Sequence, residues 1–358
     1  MKLLKNILQF LFFLSIGSVI LYLVYQHQNT AFMADCALRG VPDSECSLVG
    51  KLLNDFKSVR FGWIGLVFVA FLISNISRTF KWLMLLQPMG YRPSFINGFL
   101  ANLVCYFANL GLPRMGEVAR GGVLTKYENI PLEKAMGTIV VDRAVDMMCL
   151  LLVFGLALLF ESEKLLGFIA ENRGEGGTTG INWKWAALLL LLALMSIVWF
   201  FRKRLMRTVF FQKIAKILLG FWEGIMTVRQ LDRPGIFIFH SLNIWVMFFL
   251  MTWLGFQAFG PTEHLGLRAA LTVFVFGTLG FVIPSPGGMG TFHALVITAL
   301  TLFYGVRGDD AFSAANIIFF TVQIGFNSIL GIIALILLPI VNKKTMPQTR
   351  AVQQEMAP

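Results

Sequence analysis

The stretch Ile283-Pro-Ser-Pro-Gly-Gly-Met-Gly-Thr-Phe292 interrupts one of the most apolar parts of the chain. Apolar runs precede it at 274–282 and follow it at 294–303. Its two prolines and three glycines fall within seven residues and cannot continue an α-helix. In hydrocarbon, each backbone N–H or C=O group without a partner costs several kcal/mol. Such a break is therefore expected only where it lines a polar or water-filled cavity.

The composition predicts an all-α polytopic membrane protein. Of the 358 residues, 57% are hydrophobic and only 14% are charged, whereas soluble proteins have about 25% charged residues. We expect a single transmembrane domain over residues 1–340, followed by a cytoplasmic tail at 341–358. The net charge of +11 reflects basic residues at membrane edges, and no nucleic-acid partner is expected.

Apolar runs and charge define the predicted spans. An amphipathic cytoplasmic segment is expected at 205–230, where Phe and Ile alternate with Lys and Arg. The run 7–25 is interpreted as a retained first span rather than a signal peptide. The predicted spans are 7–25, 61–86, 94–110, 135–160, 183–201, 234–259, 267–282, 292–305 and 312–340.

The basic residues predict which loops are cytoplasmic. They place both termini and the loop 87–93 inside, whereas the loops 26–60, 161–182 and 260–266 are expected outside. A single crossing at 135–160 then requires 94–134 to enter and leave the membrane on one side. The same count makes 267–305 enter from the opposite side. The sequence thus predicts two broken re-entrant hairpins in an inverted repeat, with halves at about 61–160 and 234–340 and a site between them.

The first break carries ionisable residues. Glu117 and Arg120 are one helical turn apart and could pair, and Arg114 lies just before them. Asp142 and Asp146 share a face of the following span. Ionisable groups at membrane depth suggest a substrate or ion path, although Asp142 could also be an interfacial charge.

The second break offers backbone amides at the start of a helix, where an anion such as a lipid phosphate is favoured. Ser285 and Thr291 could donate hydroxyl groups or cap the helix. His293 could couple to protons or simply hydrogen-bond a neighbouring helix. The amides concerned belong to Gly287, Gly288 and Gly290.

Other polar residues have simpler interpretations. Arg78 and Lys81 are expected to extend to the cytoplasmic surface. Cys36 and Cys46 lie in the first external loop, where a disulfide or two free thiols are both compatible with the sequence. No spacing typical of a metal site or a hydrolase is present, so we expect no metal, no cofactor and no enzymatic activity.

The two breaks together resemble a known family. The pattern Leu112-Pro-Arg-x-Gly-Glu-x-x-Arg120, the pattern Val141-Asp-Arg-x-x-Asp146 and the second break are similar to the lysylphosphatidylglycerol synthase transmembrane (flippase-like) family. The resemblance implies a stand-alone member without the aminoacyl-transferase domain. Where the family usually has Glu after Gly-Thr-Phe, this chain has His293. Where the family often has Arg in the last span, this chain reads Phe319-Phe-Thr-Val-Gln323.

The resemblance implies a lipid transporter of the bacterial inner membrane that moves an anionic or aminoacylated phospholipid headgroup. Arginines 114, 120 and 143 would neutralise the phosphate beside the glycine amides. Glu117 and Asp146 would orient the arginines or meet a cationic headgroup. Two alternatives remain open: an accessory protein that partners an enzyme of envelope or polyprenyl-linked glycan synthesis, and a membrane enzyme acting on lipid headgroups.

Overall fold

The computed structural model describes residues 2–38, 46–111, 115–161, 230–283 and 285–343. The predictions for Arg114, the span 183–201, the segment 205–230 and the tail beyond residue 343 lie outside these ranges. Within the ranges all regular structure is helical, which confirms the all-α class. The helices are α1 Lys2–Leu38, α2 Leu48–Ser58, α3 Phe61–Leu86, α4 Phe95–Gly111, α5 Met115–Glu128, α6 Leu132–Phe160, α7 Pro234–Ala258, α8 Leu267–Val282, α9 Thr291–Tyr304 and α10 Gly308–Val341.

Four of the described helices are long and apolar enough to cross a membrane: α3 with the 3-10 turn after it, α6, α7 and α10. They confirm a multi-pass membrane protein. The helices α4, α8 and α9 are apolar but have only 14 to 17 residues. At 1.5 Å per residue they reach about 21–26 Å, less than the roughly 30 Å of bilayer hydrocarbon.

The connection predicted at 26–60 is largely helical. Helix α1 runs from the predicted span 7–25 through to Leu38, and α2 occupies Leu48–Ser58. Ser47 caps α2, because its side chain accepts a hydrogen bond from the Gly50 amide at 3.1 Å. A disulfide between Cys36 and Cys46 ties α1 to α2.

The centre of the bundle is the pair α3 and α7. Their contact includes an edge-on pair of Trp63 and Trp253, with ring centroids 6.3 Å apart, and a 2.7 Å hydrogen bond from Asn243 to Ser77. Helix α4 packs on α10 and α8 packs on α6, so each short hairpin lies against the last long helix of the other half.

Each short helix pair forms a tight hairpin. In α4–α5, a Cβ on Gly116 would lie 2.1 Å from the Cys105 carbonyl oxygen. In α8–α9, a Cβ on Gly280 would lie 2.7 Å from the Phe292 backbone. Glycine is needed at both places because backbones approach this closely only without side chains.

The two hairpins open at opposite ends of the bundle. At one end, Asn97 of α4 hydrogen-bonds both Glu128 at the end of α5 and Asn342 after α10. At the other end, Lys51 pairs with Asp310, and Arg60 pairs with Glu263. This grouping agrees with the sidedness inferred from charge, whereas re-entry and the inverted repeat remain predictions.

Candidate functional site

A network of buried ion pairs joins α3, α5 and α6. The Asp146 carboxylate accepts hydrogen bonds from Lys81 Nζ at 2.5 Å and from Arg78 Nη1 at 2.9 Å. Lys81 Nζ also lies 2.7 Å from Asp142 Oδ1. Asp142 Oδ2 accepts a hydrogen bond from Arg120 Nη1 at 3.0 Å. These charges meet because Arg78 and Lys81, three residues apart on α3, face Asp142 and Asp146, four residues apart on α6.

The expectation that Arg78 and Lys81 extend to the surface is wrong. Lys81 and Asp142 are 0% exposed and Arg78 is 5% exposed. The carboxylates of α6 compensate the two cations inside the bundle, so neither needs to reach water. Asp142 is likewise enclosed by the bundle and paired with these cations.

The expected pairing of Glu117 with Arg120 is also not observed, although both lie on α5. Glu117 instead accepts a 2.6 Å hydrogen bond from Arg143. Arg120 turns inward to Asp142, and its guanidinium lies over the Trp82 ring at 3.7 Å. The neighbouring helix α6 therefore provides separate partners for Glu117 and Arg120.

The network holds more positive than negative charge. Four cations (Arg78, Lys81, Arg120, Arg143) face three carboxylates (Glu117, Asp142, Asp146), which leaves one net positive charge.

Some polar atoms of the network have no hydrogen-bond partner among the described residues. They are Nε and Nη2 of Arg120, Nε of Arg78, Oε2 of Glu117 and Oδ1 of Asp142, the last of which lies 2.7 Å from Lys81 Nζ. A buried donor or acceptor without a partner costs about 1–3 kcal/mol, and more if it is charged. The network therefore has both donors and acceptors that are not satisfied within the described residues.

One edge of the network is accessible. The Arg143 side chain is 44% exposed, and Glu117 beside it is 17% exposed. Exposed apolar side chains lie within a helical turn of these two residues along the chain, including Met115 and Val118 on α5 and Val140 and Met147 on α6. A charged group flanked by apolar surface suits an amphipathic ligand.

The second break is braced from within. The Thr291 hydroxyl donates to the Gly280 carbonyl at 2.7 Å. The Ser285 hydroxyl oxygen lies 3.1 Å from the Thr291 hydroxyl oxygen. The α9 N-terminus has no side-chain cap, so these two hydroxyls join the break to α8 and do not act as caps. Gly288 also donates its amide to the Ser285 carbonyl at 3.2 Å.

Three glycines allow the path of this break. Gly287, Gly288 and Gly290 have φ values of 57°, 79° and 81°, in the left-handed region that side chains disfavour. A Cβ on Gly287 would lie 3.3 Å from Leu110 at the end of α4. The Gly116 amide in turn donates to Asn109 at 2.8 Å. The second break therefore touches the first hairpin beside its break.

His293 lies in an aromatic pocket against α10. It is 0% exposed, and its ring centroid is 4.6 Å from that of Phe319. The Asn316 side chain is beside the imidazole, but neither ring nitrogen has a well-formed hydrogen bond to any of the described residues. This residue is thus separate from the network, whose members lie on α3, α5 and α6.

The structure therefore assembles part of the predicted site. Glu117, Arg120, Arg143 and Asp146 form one cluster, whereas Ser285 and Thr291 brace the second break. Sequence reasoning missed Arg78 and Lys81, although their one-turn spacing matches that of Asp142 and Asp146. In the described ranges, no three His, Cys, Asp or Glu side chains gather as metal ligands.

Comparison with known proteins identifies the family. The model described as "Lysylphosphatidylglycerol synthase TM region" matches residues 47–345. The chain is also similar to the UPF0104 membrane protein MJ1595 of Methanocaldococcus jannaschii, with 29% identity over 99 residues. That match covers 27% of this chain and 30% of the relative, so the chain spans less than a third of the curated relative's length. No solved structure matches the chain. The matched range includes both breaks and the whole ionic network, and the chain belongs to the lysylphosphatidylglycerol synthase transmembrane family.

Proposed function

We propose that this protein moves a phospholipid headgroup, anionic or aminoacylated, across the membrane, with the ionic network as its binding site. The observation that carries the proposal is the net positive charge of a buried network in which three arginine nitrogens, Nε of Arg78 and Nε and Nη2 of Arg120, have no hydrogen-bond partner among the described residues. A headgroup phosphate would supply the missing negative charge and accept from these donors.

A purely structural role for the network explains less. Ion pairs buried in a protein recover their desolvation cost only when geometry and hydrogen bonding are complete. A network that only joined helices would balance its charges, whereas this one has four cations for three carboxylates. The uncompensated charge therefore favours a ligand over a structural clamp.

The accessible edge suits both ends of a phospholipid. Arg143 presents a half-exposed guanidinium. Oε2 of Glu117 is buried and has no hydrogen-bond partner among the described residues, and it would accept the ammonium of an aminoacylated headgroup that enters beside Arg143. The exposed apolar side chains around Val140 and Met147 would contact the acyl chains. An amphipathic ligand would thus enter between α5 and α6 with its headgroup toward Asp146.

The contact between the two hairpins supports a route near the second break. Gly287 lies against Leu110, which precedes Glu117 by seven residues in the sequence. The headgroup would pass this junction, where the glycine-rich backbone leaves room for close approach. In this proposal Ser285 and Thr291 hold the shape of the break.

The test is lipid translocation by the purified chain in liposomes that contain a fluorescent phosphatidylglycerol. Dithionite, which quenches only the outer leaflet, reports movement between leaflets. We expect Arg143→Gln to slow translocation by about tenfold or more, since one charge-assisted contact is worth at least about 1.4 kcal/mol. Arg92→Gln, an exposed arginine outside the network, should behave as wild type.

One further variant would distinguish the lipid classes. Glu117→Gln should reduce movement of an aminoacylated lipid more than that of phosphatidylglycerol, because only the former carries an ammonium group. Wild-type rates in Arg143→Gln would refute the proposed site. Absence of translocation by the wild-type protein, with lipid movement only when a glycan-synthesis enzyme is present, would favour the accessory role.

A further inference from the structure

Arg120 carries two of the three unpaired arginine nitrogens in the network, and its side chain is enclosed by the bundle. Its Nη1 donates to Asp142 at 3.0 Å, whereas Nε and Nη2 have no hydrogen-bond partner among the described residues. Nε and Nη2 form one edge of the planar guanidinium, and this rigid edge can donate two parallel hydrogen bonds to one carboxylate or phosphate group. The unpaired donors of Arg120 therefore make up a complete bidentate edge.

The indole ring of Trp82, on α3, lies against one face of this guanidinium. The central carbon of the guanidinium is 3.7 Å from the ring centroid, and Trp82 is fully buried. Trp attracts a cation more strongly than Tyr or Phe does, and the attraction is larger where water is excluded. The ring restricts the tilt of the planar group, while the hydrogen bond from Nη1 to Asp142 restricts its rotation in the plane. The ring and the carboxylate together determine where the Nε–Nη2 edge lies.

The ring of Trp82 is itself fixed by a hydrogen bond to α6. Its Nε1 donates to the Thr138 hydroxyl at 3.0 Å, and that hydroxyl donates to the Ala135 carbonyl at 2.8 Å. Thr138 and Asp142 are four residues apart on α6, so they lie on the same face of the helix. One face of α6 therefore holds the indole ring through Thr138 and the guanidinium of Arg120 through Asp142.

We propose that Trp82 is a positioning residue, which holds Arg120 so that its Nε–Nη2 edge receives two oxygens of one phosphate group. Trp82 acts through the arginine and does not itself touch the ligand. The inference rests on the proposed function for the identity of the ligand, a headgroup phosphodiester whose two non-bridging oxygens fit the edge. Inorganic phosphate offers the same pair of oxygens, so the experiment uses both as probes.

The experiment is a calorimetric binding titration of the purified full chain in detergent, with dihexanoyl phosphatidylglycerol and separately with inorganic phosphate. Trp82→Leu should raise the Kd of the lipid by about tenfold, the factor for one lost charge-assisted contact, because the edge is no longer held in place. Trp82→Phe keeps an aromatic face and should give an intermediate Kd. Trp63→Leu is the matched control, because Trp63 is on the same helix but pairs with Trp253, and its Kd should equal that of wild type.

Two comparisons distinguish positioning from packing. The ammonium group in Arg120→Lys has no bidentate edge, so adding Trp82→Leu to that variant should change the Kd by less than about twofold, whereas a packing role predicts the same factor in both backgrounds. Thr138→Val leaves the indole in place and removes only its hydrogen-bond acceptor, so this variant tests the proposal even if Trp82→Leu does not fold. It should raise the Kd by about threefold or more, and Thr138→Ser, which keeps the hydroxyl, should not.

The outcomes separate this inference from the proposed function. Equal factors for Trp82→Leu in the two backgrounds, or a wild-type Kd in Thr138→Val, would overturn the positioning role even in a protein that moves lipid. The expected coupling in a protein that moves no lipid would support the positioning role and refute the transport function. Inorganic phosphate that binds as tightly as the lipid, with the same coupling, would support the positioning role and refute the lipid as the ligand. No binding of either probe by the wild-type chain would overturn both.

Discussion

Replacing Asp146 by asparagine removes the carboxylate that compensates three cations. Its oxygens are 2.5 Å from Lys81 Nζ, 2.9 Å from Arg78 and 3.6 Å from Arg143. The variant would leave four cations with two carboxylates, which is a net charge of +2 in a buried cluster. Breaking a buried ion pair in this way costs about 3–5 kcal/mol, because a charge is left uncompensated. At about 2–4 °C per kcal/mol, the melting temperature should fall by about 6–20 °C.

The assay uses the two buried free thiols. Cys105 and Cys149 are inaccessible in the folded protein, so a maleimide that fluoresces on reaction reports their exposure during heating in detergent. Arg143→Gln is the matched control, because this half-exposed residue should contribute only about 1 kcal/mol or less to stability. The double variant Lys81→Met with Asp146→Asn restores the original net charge and should recover part of the loss. A melting temperature for Asp146→Asn within about 2 °C of wild type would refute the account of the network.

Three further perturbations test other parts of the fold by the same melting assay. Gly288→Ala should destabilise more than Gly305→Ala: both glycines have positive φ, costing about 1 kcal/mol or more, but only at Gly288 would the new Cβ lie 2.2 Å from an aromatic ring. Equal losses would refute the steric argument. Replacing Cys36 and Cys46 by serine should cost about 3 kcal/mol from chain entropy, given a sequence separation of 10, and an unchanged melting temperature would contradict that estimate. Burial opposes the charge of Lys51, but its hydrogen bonds to two aspartates raise its pKa above the usual 10.5. The stability that the Lys51 charge contributes is therefore complete below pH 10.5 and is lost as pH rises through the raised pKa. Wild type and Lys51→Met should then converge in stability at strongly alkaline pH. A stability difference that stays constant with pH would exclude this explanation.

Hydropathy and backbone breakers predicted the frame of this fold. The predicted span 61–86 coincides with α3, and the second break falls between α8 and α9 as its prolines and glycines require. The segment between Cys36 and Phe61 was less predictable. Helix α2 is short and amphipathic, and it is held by a disulfide and by ion pairs to α10 that are distant in sequence.

The candidate site was predictable in membership but not in pairing. The sequence indicated Glu117, Arg120, Arg143 and Asp146 because charge is rare at membrane depth. It could not show which charge faces which, because the partners lie on different helices and the choice depends on how α6 crosses α3 and α5. Arg78 was assigned to the surface for this reason: its long side chain would reach water if α6 did not offer a carboxylate nearer by.

Under the proposed function, the surplus charge of the network would make the empty and the loaded protein respond differently to membrane voltage. One elementary charge that crosses the full membrane potential changes in free energy by about 2.3 kcal/mol per 100 mV. If the empty network, with its net charge of +1, moved across part of the membrane potential, its free energy would change by the same part of this value. A headgroup with a single negative charge would cancel it. The membrane potential would then bias the return of the empty site and leave the loaded step electrically neutral, which gives such a transporter a direction without a second binding site for ions.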